Sequence, residues 1–173
     1  PNAGNPQKVQ RYPLEWAAGL REMARLQPRT MCPGHGAAVV DDPELIQRML
    51  LETADFLEII VERTLAALNN GSPPHVDILH AVELPSSDSP WLRQMYDDAE
   101  FIVHNVIRLY GGWWNGRPSE LKPAPRLKVA REIAALAGGA RALLGRAREL
   151  ADGGDMRTAC HLADLAMEAD PGD

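Results

Sequence analysis

His35 stands between two glycines in the run Pro33-Gly34-His35-Gly36. Pro33 restricts the entry to the turn, Gly34 and Gly36 permit unusual torsions and close backbone approach, and the imidazole is carried on a loop. That placement suits a metal ligand or a general base; the alternative is a turn with an incidental histidine. Zinc is ordinarily held by about three or four protein ligands, and the sequence has no HxH or HxxxH pair to complete such a set. The remaining histidines offer less. His104 shares helical offsets with Asp97, Glu100 and Arg108, and His161 with Arg157, Asp164 and Glu168, the pattern of a solvated face. His75 and His80 flank a short element and read as surface residues. Cys32 and Cys160 have no evident general base beside them and read as small buried hydrophobes.

The other unusual stretch is Tyr110-Gly111-Gly112-Trp113-Trp114-Asn115-Gly116-Arg117-Pro118. Each tryptophan carries a large apolar surface and one polar N–H, which a simple exposed loop does not satisfy. Trp113 and Trp114, with Tyr110, read either as a plug against a neighbouring domain or partner subunit, or as the wall of a substrate pocket. In the second case Asn115 or Arg117 contacts a polar group, and the planar fork of Arg117 matches sulfate, phosphate or carboxylate oxygens.

Helices must position these residues. Leu, Ala, Ile and Val dominate the apolar fraction, a composition that favours an all-α fold. After a polar, Pro/Gly/Asn-rich start, Pro13 opens a helix that runs to about Leu26, and Pro28 stops it. Arg29 to Cys32 reads as a short strand without a visible partner. Since a single strand cannot satisfy its own backbone groups, residues 1 to about 40 are expected to be the tail of a larger α/β domain lying upstream. Asp42 caps and Pro43 opens a long helix to about Leu68, closed by Asn69-Asn70-Gly71. A short helix follows around His75 to Val82. Ser89-Pro90 then predicts a helix start, and Leu92, Tyr96, Ala99, Val103, Val106 and Tyr110 form its stripe. Three helices near 125–137, 140–152 and 155–169 are separated by Gly138-Gly139 and Gly153-Gly154. The last two resemble a tetratricopeptide-type hairpin.

The net charge of -6 argues against a general nucleic-acid surface, which needs clustered positive charge. No stretch reaches the roughly 20 apolar residues that span a bilayer. Two cysteines make no disulfide framework.

Taken together, Arg11-Tyr12-Pro13-Leu14-Glu15-Trp16-Ala17 to Pro28, Met31-Cys32-Pro33-Gly34-His35-Gly36, and the run from Tyr110 to Pro118 with Ala137-Gly138-Gly139 and the hairpin from Gly154-Asp155 to Asp170-Pro171 resemble the alkyl sulfatases of the metallo-β-lactamase superfamily. The resemblance implies that residues 1–42 are the C-terminal edge of a metallo-β-lactamase-like hydrolase domain, a short αβ remnant. It implies that residues 43–173 are an all-helical dimerisation domain, truncated at its C-terminus. His35 is then one ligand of a two-zinc centre, and the chain assembles as a homodimer. The parent reaction converts an alkyl sulfate and water to an alcohol and sulfate. The family's HxHxDH motif has no match here, so the chain alone is expected to be inactive. Two further readings stay open: a helical tetratricopeptide-like interaction module, and part of another metallo-β-lactamase-fold hydrolase.

Overall fold

A computed structural model describes residues 3–71, 76–95 and 97–172, with Val76 and Asp77 described in their backbone alone. His75 and Tyr96 lie outside the described residues. The described chain is mainly helical, with one two-stranded ribbon, as the composition predicts. It divides into two units, Pro1–Gly116 and Arg117–Asp173.

In the first unit, helix α1 spans Pro13–Arg25 and opens on the proline, which has no amide to leave unpaired. It buries Ala17, Leu20 and Ala24, whereas Leu14 and Met23 on the same helix are exposed. Strand β1 (Thr30–Met31) does have a partner: it pairs antiparallel with β2 (Val39–Val40), Thr30 opposite Val40 and Met31 opposite Val39. Strands of two residues are too short to show the alternation by which a strand is recognised, so the sequence hid the pairing. Cys32 is exposed on the loop between them and Cys160 is exposed on a later helix, which corrects the expectation that both are buried. The Cys32 loop projects from the ribbon, and Cys160 falls on the solvent side of its helix.

Helix α2 (Pro43–Asn69) is the spine of this unit. The Asp42 carboxylate accepts a hydrogen bond from the Leu45 amide at 3.0 Å, the cap that its position before Pro43 predicts. Ile46, Leu50, Leu57, Ile60 and Val61 face α1 and α4 across one apolar core. Helix α3 (Val76–Ala81) adds Ile78 to that core. The helix expected to start at Pro90 is only a 3-10 turn, Pro90–Leu92. Continuous helix, α4, begins at Ala99 and ends at Gly111, capped by Asp98 through the Glu100 amide at 2.8 Å. Asp97 and Asp98 explain the late start. Both carboxylates turn back to backbone amides, which favours a cap over a helix interior. Ile102, Val103, Val106 and Ile107 then form the buried face.

In the second unit, α5 (Arg126–Ala137), α6 (Ala140–Asp152) and α7 (Met156–Ala169) match the three helices expected. Gly138 takes the left-handed conformation that ends α5, with φ of 92°. Ala134, Leu143 and Ala166 meet in a small core supported by Ile133, Leu162 and Leu165. Small alanines let the helices approach closely.

Candidate functional site

The first unit contains a cavity of about 900 Å³, within the size range of small-molecule sites. His35 is on its wall, carried by the exposed loop that joins β1 to β2. Most of the remaining lining is apolar: Trp16 from α1, Phe56 from α2, Trp91 and Leu92 from the 3-10 turn, and Ile102 from α4. Lys8, Arg11 and Arg93 supply positive charge.

Lys8 and Arg11 belong to the segment before α1, which has no regular structure and is nevertheless fastened to α4. Ala3 and Gly4 are buried. The Gly4 amide donates to Asp97 at 3.0 Å. Asn105 Nδ2 donates to the carbonyls of Ala3 and Arg11 at 2.9 and 2.7 Å, and its Oδ1 accepts from Gln10 Nε2 at 2.9 Å. A Cβ at Gly4 would lie 2.3 Å from the Ile102 nitrogen, so only glycine allows the segment to approach the helix backbone this closely.

Trp91 is held from the α2 side. The Arg48 guanidinium stacks 5.3 Å from the indole centroid. Arg48 also pairs with Glu52 at 3.4 Å, and the Ser89 hydroxyl donates to Glu52. These contacts fix the turn that presents the ring. The indole Nε1 and the Arg11 Nε are buried and have no acceptor among the described residues. An unmade bond of this kind costs about 1–3 kcal/mol. By contrast, the acidic groups on the wall are occupied: Asp97 accepts from the amides of Gly4 and Asp98, and Asp98 from that of Glu100.

The marked electrostatic displacement lies elsewhere in this unit. Arg21 on α1 bonds Glu58 at 2.9 Å and Asp55 at 2.6 Å, both on α2. Its guanidinium is therefore held above its ordinary range, mainly by Glu58 and then by Asp55. The Arg21 bond holds the Glu58 carboxyl below its ordinary range. This group joins two helices and does not line the cavity.

Tyr110, Trp113, Trp114 and Asn115 do not line the cavity that contains His35. Trp113 is 72% exposed, Tyr110 54% and Trp114 40%, so neither indole is buried within this chain. Asn115 is half-buried, and Arg117 is exposed at the start of the second unit's first 3-10 turn. Of the lining only His35 was singled out in the sequence as a site residue; Arg11, Phe56 and Trp91 are among those it missed. They come from three elements far apart in the chain and share no motif.

Among the described residues, no group of three or more His, Cys, Asp or Glu side chains is placed to hold a metal ion. No helix is long and apolar enough to cross a membrane among the described residues.

Comparison with known proteins yields a consistent set. A family model described as alkyl sulfatase dimerisation matches residues 75–173. A linear primary-alkylsulfatase of Pseudomonas sp. is 31% identical over 166 residues, covering 94% of this chain and 31% of that protein. An alkyl/aryl-sulfatase of Saccharomyces cerevisiae is 30% identical over 128 residues, 73% of this chain and 20% of that protein. The solved structure of a stereoselective inverting sec-alkylsulfatase from Pseudomonas sp. superimposes with a TM-score of 0.87 at 24% identity, covering 99% of this chain and 28% of that one. At that identity the match speaks for the fold. The chain spans less than one third of the length of each of these three proteins.

Proposed function

Because the chain belongs to the alkyl sulfatase dimerisation family, we propose that it is the dimerisation and scaffold portion of a zinc-dependent alkyl sulfatase-like hydrolase, inactive on its own. The observation that carries the reading is the family match over residues 75–173. Within that stretch Tyr110, Trp113 and Trp114 stand exposed in sequence proximity. Exposed aromatic groups of this kind are the usual anchors of protein interfaces, and the occupant proposed for them is a second copy of the chain. Asn115 or Arg117 is assigned to the polar end of an alkyl sulfate. His35 contributes one ligand of a two-zinc centre whose other ligands lie outside these residues. The reaction assigned to the whole enzyme is hydrolysis of an alkyl sulfate to alcohol and sulfate.

Sedimentation velocity over a concentration series tests the assembly. The chain is expected to sediment as a dimer. Trp113→Ala is expected to weaken association by about 2 kcal/mol or more, the range of an interface anchor, while the circular dichroism spectrum is unchanged. A wild-type chain that stays monomeric throughout the series overturns the proposal, as does a Trp113→Ala dimer of unaltered affinity for the assignment of the anchor.

A further inference from the structure

We propose that the segment Leu84–Met95 is a hinged cover on the cavity of the first unit, latched to α2 by Arg48 and Glu52 and poised to lift away from it.

The ends of this stretch are seated in the core and its middle is not. Val82 and Ala99 are buried, whereas no described residue between them is. The turn Pro90–Leu92 is the only regular structure among the described residues of that stretch. At the near end the Glu83 carbonyl accepts from Arg63 at 2.5 Å, and at the far end Asp97 accepts from the Gly4 amide. Between these points the segment supplies Trp91, Leu92, Arg93, Gln94 and Met95 to the lining of the cavity. A stretch with few buried apolar groups opens locally at far lower cost than the core beneath it.

The latch is polar and accessible to water. Arg48 stacks on the Trp91 ring, Ser89 gives its hydroxyl to Glu52, and Arg48 and Glu52 pair with each other one helical turn apart. The arginine side chain is 64% exposed and the glutamate 35%, so solvent competes for every contact and each is weak. Trp91 Nε1 works against the latch. It is a buried donor with no acceptor among the described residues, and lifting the turn gives it water. The closed position therefore carries a desolvation cost that the open one does not. Phenylalanine at this position would present a similar ring face to Arg48 without that cost. Weak fastening opposed by an unsatisfied donor makes a cover that opens readily, and closing it rebuilds one wall of the cavity. The device is formed by the first unit alone and does not depend on association.

Hydrogen exchange followed by NMR tests the proposal on the whole chain. The reporters are the Trp91 indole N–H and the Leu92 amide, which bonds to the Ser89 carbonyl at 3.0 Å; the amides of Ile60 and Val61 in α2 report the core. Corrected for intrinsic rates, the two turn reporters are expected to share one opening equilibrium and to exchange about a hundredfold or more faster than the core pair. Glu52→Ala is expected to speed the Leu92 amide about fivefold, the scale of one hydrogen bond, with Ile60 and Val61 unmoved. Glu52→Gln keeps an acceptor for Ser89 and is expected to fall between the two. Trp91→Phe is expected to slow the Leu92 amide about fivefold, because it removes the unsatisfied donor. Turn reporters that exchange only together with the core overturn the cover, and a Glu52→Ala chain with unchanged Leu92 exchange overturns the latch. Faster Leu92 exchange in Trp91→Phe overturns the claim that the closed state is poised to open. The same rates are expected in the Trp113→Ala background. A dimer whose turn exchanges with the core loses the cover alone; a monomer with the expected rates loses the dimer alone.

Discussion

Replacing Gly4 by alanine tests how the segment before α1 is held. The new methyl carbon would lie 2.3 Å from both the Ile102 nitrogen and the Phe101 carbonyl carbon, and 2.8 Å from the Ile102 Cα. All three are backbone atoms of α4, so no rotamer change relieves the overlap. If the segment stays docked, the cost is that of overpacking, about 1–3 kcal/mol. If it lifts away, it gives up the Gly4–Asp97 and Asn105–Ala3 hydrogen bonds, each worth about 0.5–1.5 kcal/mol. It also exposes Ala3. The cheaper path sets the result, so Gly4→Ala is expected to lower stability by about 2 kcal/mol. Urea denaturation at one fixed protein concentration measures the loss, because association otherwise contributes to apparent stability. Hydrogen exchange of the Gly4 amide, which donates to Asp97, shows which path was taken. An alanine variant as stable as wild type, with unchanged exchange in this segment, would refute the docking geometry and with it the placement of Lys8 and Arg11.

Two further outcomes follow from the same structure. Arg21→Met should cost about 1 kcal/mol or less at neutral pH, since the pair with Asp55 and Glu58 is partly exposed. Glu58 is held below its reference value of 4.5, so the unfolded chain binds more protons in that acid window. The advantage of wild type is therefore complete above pH 4.5 and fades as pH falls through the lowered folded value; an advantage that persists unchanged under strong acid contradicts the assignment. His35→Ala should change stability by no more than about 0.5 kcal/mol and leave the sedimentation profile intact, because the residue is exposed on a loop. A large drop in thermal midpoint would mark it as structural.

The helices were legible wherever a local signal sets their ends. Pro13, the Asp42-Pro43 pair and the glycines at 138–139 and 153–154 act on backbone groups within one turn, and the structure begins or ends helices there. Ser89-Pro90 carries the same local signature but opens only a 3-10 turn, because Ser89 makes no cap bond and gives its hydroxyl to Glu52; Asp98 caps the continuous helix later. The β1–β2 pairing was hidden by its length. At Trp113 the sequence showed a large apolar ring but not its exposure, which depends on what the fold leaves uncovered; the loss of about 3–5 kcal/mol expected of a buried ring does not apply to a side chain 72% exposed. The cavity was illegible for a different reason. Arg11, Phe56 and Trp91 come together only through the packing of a coil segment, α2 and a 3-10 turn, and nothing in the spacing of the three announces it.

The hydrogen bonds from the first residues to α4 also set an order of events. They join positions 93 and 102 residues apart, whereas α1 and α2 are neighbours in the chain and can pair early. Closing so long a loop costs entropy before any contact repays it. On a ribosome adding about 5–20 residues per second, the strap carrying Lys8 and Arg11 waits several seconds for the helix it docks on to be made. The cationic wall of the cavity is thus among the last parts of the first unit to be completed, and a chain halted before Asn105 has the α1–α2 pair but no such wall.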